Sequence, residues 1–113
     1  MSKLPEVEEG RRHIERFRAP ASVRQELTEF ITTGGSLAWT RPGLTPAQRS
    51  LATISVLVAR GNLGPLREHL EIGLGNGLTE SEMCEVILHC SIYAGFPQTI
   101  SAMEVAADFF DGA

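Results

Sequence analysis

The sequence predicts an all-α protein of five to six short helices. Apolar residues recur three and four positions apart wherever a pattern exists. No stretch alternates convincingly with period two, as a half-buried strand would. Gly and Pro separate the patterned segments.

The elements follow in order. Residues 1–20 read as an N-terminal arm or helix, with Val7, Ile14 and Phe17 as its apolar residues and Ala19-Pro20 as its break. Val23, Leu27, Phe30 and Ile31 then repeat at helical spacing, and Gly34-Gly35 is expected to end that helix. Gly35 to Gly43 reads as an ordered loop holding the only tryptophan, Trp39, and Arg41. Thr45-Pro46-Ala47-Gln48 is a helix start: Thr45 can cap, Pro46 suits the first helical position, and Gln48 can reach back. The helix through Arg60 is apolar nearly all round after Leu51, which places it centrally. Gly61 and Gly64-Pro65 punctuate the next turn. Leu63, Leu66, Leu70 and Leu74 mark a second buried face, closed by Asn76-Gly77. Thr79-Glu80-Ser81-Glu82 is another capping box. It opens a helix with Met83, Val86, Ile87, Cys90 and Ala94 on one face, ending at Gly95. Pro97 begins the last helix, with Ile100, Met103, Ala106 and Ala107 expected inside.

A chain of 113 residues, 42% hydrophobic and 21% charged, has the composition of a single globular domain spanning 1–113. Its net charge of -4 argues against nucleic acid as a partner, since that needs a basic face. From Glu68 onward there are eight acids and no Lys or Arg, a poor surface for phosphate or anionic lipid. No apolar run reaches membrane-spanning length, and the first residues lack the apolar core of a signal peptide. The expected location is cytoplasmic. Two Cys and three His show no zinc spacing, so no metal is expected.

Two helices are apolar on more than one face. A chain this small has too few polar helices to cover both. The surplus face is expected to pack against another copy, the alternative being a compact monomer with ordinary surface hydrophobics.

Several residues suit chemistry. His69 lies on the flank of the leucine face, one turn before Gly73, and histidine titrates nearest neutral pH. It reads either as an acid–base residue or as a boundary histidine bonded to backbone. His89 shares a helix face with Glu82 and Glu85, seven and four positions earlier, and reads either as a functional histidine or as a structural partner of Glu85 at a subunit interface. Cys84 and Cys90 are six apart, cannot act as a Cys-x-x-Cys pair, and read as structural. Arg41, Arg49 and Arg67 each carry a planar fork that fits a carboxylate, or serve as surface ion-pair residues.

The blocks Ala38-Trp39-Thr40-Arg41-Pro42-Gly43-Leu44, Arg49-Ser50-Leu51-Ala52-Thr53-Ile54 and Leu66-Arg67-Glu68-His69-Leu70 follow one another in this order. Asn76-Gly77-Leu78-Thr79 and the run from Glu85 to Pro97 complete the series. From Glu26 to Phe110 the chain thereby resembles the carboxymuconolactone decarboxylase family. The resemblance implies an alkylhydroperoxidase-D-like helical domain, a trimer or hexamer, and decarboxylation of a small carboxylated lactone in aromatic degradation without metal or organic cofactor. It implies His69 as the acid–base residue and Arg41 and Arg49 as holders of substrate carboxylates. Trp39 and His89 would stand at the pocket wall or subunit interface. The peroxidase branch of this fold uses a Cys-x-x-Cys four residues before the same histidine. Asn62 and Pro65 stand there, so that relay cannot operate.

Two positions depart from the family pattern: Leu37, where a Glu is usual, and Glu104, where a His is frequent. They leave open another reaction, such as isomerisation or cyclisation in a specialised biosynthetic pathway, or a non-catalytic oligomer that binds a small molecule.

Overall fold

The computed structural model describes residues 18–112. Most of the expected N-terminal arm lies outside them. The described residues form five α-helices and no strand, the all-α architecture expected. They are α1 (Arg24–Trp39), α2 (Pro46–Arg60), α3 (Leu63–Gly75), α4 (Glu80–Tyr93) and α5 (Phe96–Asp111). None is long and apolar enough to cross a membrane. The chain divides after Pro46 into two compact units.

The first unit holds α1. Its entry is a turn in which Arg24 folds back and donates through Nε and Nη2 to the Ala19 carbonyl, at 3.0 and 2.8 Å. The helix does not stop at Gly34-Gly35. It runs through both to Trp39 and is capped at Thr40, whose N–H reaches the Ser36 and Ala38 carbonyls. Neither glycine takes a positive φ, so nothing in the backbone turns the chain there. Glycine costs a helix interior about 1 kcal/mol relative to Ala, which weakens a helix without ending it. The loop is correspondingly shorter than expected, from Thr40 to Thr45.

The second unit holds α2 to α5. Pro46 occupies the first position of α2, where its missing N–H costs nothing. The buried stripe of α2 is Ser50, Ile54 and Val58. Gly61, at φ 68, makes the turn into α3. Gly64 and Pro65 lie inside the first turn of α3 rather than in the connection. Leu66, Leu70 and Gly73 face inward, while Leu63 and Leu74 stay exposed at the ends of the expected leucine face. The second capping box forms as expected. Glu82 N–H donates to Thr79 Oγ1, and Thr79 N–H donates to Glu82 Oε1. Met83, Ile87 and Cys90 are the buried face of α4.

Helix α5 starts at Phe96, with Pro97 in its first turn, and packs along α4 and α3. Gly95 before it sits at φ 101, which favours glycine. Thr99, Ala102 and Ala106 point inward. Ile100 and Ala107 were expected inside but are exposed, because the small residues set the register of this face. The core joins Ile54, Val58, Leu66, Leu70, Leu78, Met83, Ile87, Cys90, Ala102 and Ala106. Outside it, the Arg67 guanidinium lies over the Phe109 ring at 5.4 Å, tying α3 to α5.

Candidate functional site

Of the five candidate residues, Arg49, His69 and His89 belong to the second unit. Arg49 lies in the first turns of α2 and His69 in the middle of α3, both half-buried. Each directly precedes a fully buried residue, Ser50 and Leu70 respectively. Arg49 Nε and His69 Nδ1 are shut off from solvent, and both side chains are engaged in interactions.

Two contacts define how α2 and α3 face each other. Asn76 Nδ2 donates to Ser50 Oγ at 2.9 Å. A Cβ built at Gly73 would stand 3.7 Å from Ile54 Cδ1. Moving forward along α2 from Ser50 to Ile54 therefore moves backward along α3, so the two helices run antiparallel. His69, Gly73 and Asn76 lie at i, i+4 and i+7, one face of α3. His69 thus stands seven residues, or about 10 Å, along α3 from the level at which Ser50 meets Asn76. The long Arg49 side chain starts beside Ser50 at that same level. A cation and an imidazole on neighbouring antiparallel helices can hold one end of a small acid and exchange a proton at the other.

Gly73 permits this close packing. Its missing Cβ would meet Met83 Sδ at 2.5 Å, so α3 and α4 approach more closely than a side chain would allow.

His89 is exposed on α4 and does not join the core. Its ring stacks at a tilt on Tyr93, one turn on, with centroids 5.3 Å apart. The contact is aromatic, with Tyr93 and not with Glu85, the partner that one of the two sequence readings offered. Trp39 and Arg41 belong to the first unit: Trp39 is the last residue of α1 and half-buried, and Arg41 follows in the exposed loop.

Cys84 and Cys90 are both free thiols. Burial, reinforced by Glu80, Asp111 and Glu85, raises the pKa of Cys84 and keeps it protonated. Among the described residues no group of three or more His, Cys, Asp or Glu side chains is arranged to hold a metal ion.

The Ser50–Asn76 bond had not emerged from the sequence as a site feature. The available signal was a polar residue at a buried position of the stripe Ser50, Ile54, Val58. Tyr93 was also missed as the neighbour of His89, four positions on.

Comparison with known proteins gives a consistent result. The profile of the Carboxymuconolactone decarboxylase family matches residues 25–108. A 4-carboxymuconolactone decarboxylase from Acinetobacter baylyi is 41% identical over 103 residues, covering 89% of this chain and 77% of that protein. Nitrosuccinic acid decarboxylase npaB from Metarhizium robertsii is 36% identical over 99 residues, covering 88% of this chain and 66% of that protein.

Proposed function

The chain belongs to the carboxymuconolactone decarboxylase family, and from that premise we propose that it is a carboxy-lyase that removes CO2 from a small carboxylated lactone such as gamma-carboxymuconolactone. The observation that carries the proposal is that both named relatives, each matched over most of this chain, are decarboxylases; the half-buried Arg49 on α2 and His69 on α3 are the residues proposed to serve the reaction.

The chemistry suits side chains acting alone. The leaving carboxylate sits on a carbon conjugated through a double bond to the lactone carbonyl. When the carbon–carbon bond breaks, CO2 departs and the electron pair spreads through the double bond onto the carbonyl oxygen. Arg49 and Arg41 hold carboxylates through their planar forks. The half-buried surroundings strengthen attraction to the developing enolate. His69 returns the proton to carbon as general acid. No metal or organic cofactor enters this scheme. Trp39 and His89 serve at the pocket wall or at a subunit interface. The enzyme is proposed to work as a homo-oligomer, a trimer or hexamer, in the cytoplasm.

Incubating the protein with gamma-carboxymuconolactone and following CO2 release tests this directly. Turnover that His69→Gln removes supports it, and no turnover by the wild type overturns it.

A second reading keeps the reaction and changes the substrate. It is favoured by Leu37, an exposed apolar side chain where the family usually has a Glu, and by exposed Glu104 where a His is frequent. A nitro group on the carbon that loses CO2 takes up the electron pair as a nitronate, as a lactone carbonyl takes it up as an enolate. CO2 release from nitrosuccinate, but not from the lactone, would select this reading.

A further inference from the structure

Asn76 and Gly77 form an Asn-Gly step just past α3, with Gly77 at φ 97. An asparagine is chemically most labile before glycine, which has no side chain to shield its nitrogen and reaches the backbone conformations that attack requires. In that reaction the Gly77 nitrogen, its proton passed to water, attacks Asn76 Cγ. The N–Cγ bond forms, the Cγ–Nδ2 bond breaks, and Nδ2 leaves as ammonia. Water then opens the resulting succinimide ring at either carbonyl, giving aspartate or isoaspartate. The other asparagine of the chain, Asn62, precedes Leu63, whose branched side chain shields the nitrogen.

Three features of the fold hold Asn76 out of this reaction. Its Nδ2, the leaving group, donates to Ser50 Oγ at 2.9 Å, and Ser50 is fully buried. The attacking Gly77 N–H donates to the Leu74 carbonyl at 3.1 Å. Asn76 stands at φ -89 and ψ 5, so the Gly77 nitrogen eclipses the Asn76 nitrogen and is turned away from Cγ. Asn76 is half-buried and Gly77 exposed, so water reaches the step. The last two restraints are local to the end of α3, which frays like any helix terminus. The Ser50 bond ties that end to a second helix, α2.

We propose that Asn76-Gly77 is a site of spontaneous amide loss and that Ser50 is the latch that restrains it. When the latch opens, the end of α3 frays, the Asn76 backbone is released and the Gly77 nitrogen swings onto Cγ. The change runs one way, and the fold sets its effect. Aspartate places negative charge at the C-terminal end of α3, the unfavourable end of the helix dipole. Isoaspartate also lengthens the backbone between Gly73 and Leu78. The Leu78 N–H closes α3 on the Gly73 carbonyl at 2.9 Å, and the Leu78 side chain belongs to the core. The longer link pulls at both, so an aged copy carries a loosened corner between α3 and α4.

The test holds the full chain in mildly alkaline buffer and follows it by mass spectrometry. Cleavage after Glu71 and Glu80 releases peptide 72–80, whose only side-chain amide is Asn76. Folded wild type should lose that amide at least about tenfold more slowly than the same protein unfolded in urea, and Ser50→Ala should lose it at least about tenfold faster than folded wild type, with helical circular dichroism kept. Ala106→Gly weakens the core at α5 and leaves both partners of the latch in place. It should lower the urea midpoint without speeding the loss. Equal rates in folded and unfolded wild type overturn the proposal, as does a Ser50→Ala protein no faster than wild type. An Ala106→Gly protein as fast as Ser50→Ala assigns the protection to overall stability and overturns it too. Exchange of the Asn76 side-chain amide protons reads the latch in wild type, without any substitution. Amide loss that fails to follow this exchange, at urea concentrations below the unfolding transition, also overturns the proposal.

Discussion

Asn76, which caps the end of α3, donates a hydrogen bond to the fully buried Ser50 of α2, twenty-six residues earlier in the chain. That bond fixes the end of one helix against the start of another, and with it the level of Arg49 relative to His69. Ser50→Ala removes the acceptor and leaves the half-buried Asn76 amide without it. It should cost about 1–3 kcal/mol. Urea unfolding of Ser50→Ala, Asn76→Ala and the double variant should show a coupling of about 0.5–3 kcal/mol. Strict additivity would mean that the bond contributes nothing.

Gly73 and Met83 should behave as a coupled pair. A methyl at position 73 collides with the Met83 sulfur, which lies on a flexible but fully buried side chain. Gly73→Ala should therefore destabilise by about 1–3 kcal/mol, the usual cost of overpacking. In a Met83→Ala background the collision disappears. The same substitution should then stabilise by up to about 1 kcal/mol through helix propensity. Thermal or urea unfolding of the four proteins decides it, and an equal penalty in both backgrounds removes the steric explanation.

His69→Gln keeps size and hydrogen bonding but cannot deliver a proton near neutral pH. Turnover should fall by about 100-fold or more, the loss expected for a general acid–base, with little change in unfolding midpoint. His89→Gln should instead weaken assembly, because His89 sits exposed beside Tyr93 on α4. Steady-state kinetics and sedimentation of both variants separate the roles. Full activity in His69→Gln, with none in an intact His89→Gln oligomer, would exchange them.

Cys84 sets a pH dependence. Burial and nearby acids raise its pKa in the folded protein. As pH climbs past the ordinary thiol value, the unfolded chain loses this proton first, so the unfolded state gains. Stability should therefore fall through the alkaline range, until the folded thiol also ionises. Cys84→Ser should flatten that limb of a stability-against-pH curve. An alkaline limb of unchanged slope would assign the loss to other groups.

The helices were legible where one signal dominated. Thr79 and Glu82 announce a helix start through their own side chains, and the start forms as written. Pro46 and Pro97 likewise mark first turns correctly. Gly34-Gly35 misled because glycine weakens a helix without having to turn it, and the flanking residues carried α1 on to Trp39. Ile100 misled for a different reason. Hydrophobicity ranks it above Thr99 and Ala102, but only small residues fit where α5 packs on α3 and α4. At the candidate site, the residue types were readable from sequence, whereas the antiparallel level of Arg49 and His69 was not. It depends on Ser50 meeting Asn76, a contact between distant residues that no local pattern encodes.

The connections of the second unit are short: Gly61-Asn62 before α3, Asn76 to Thr79 before α4, and Ala94-Gly95 before α5. Sequence neighbours are therefore often spatial neighbours, and little loop must be closed before helices meet. Helical domains of this kind fold on the microsecond-to-millisecond scale. In the proposed homo-oligomer the slow event after synthesis is then the meeting of copies, whose rate depends on concentration. Recovery of activity after dilution from urea should track protein concentration, while recovery of helical signal should not.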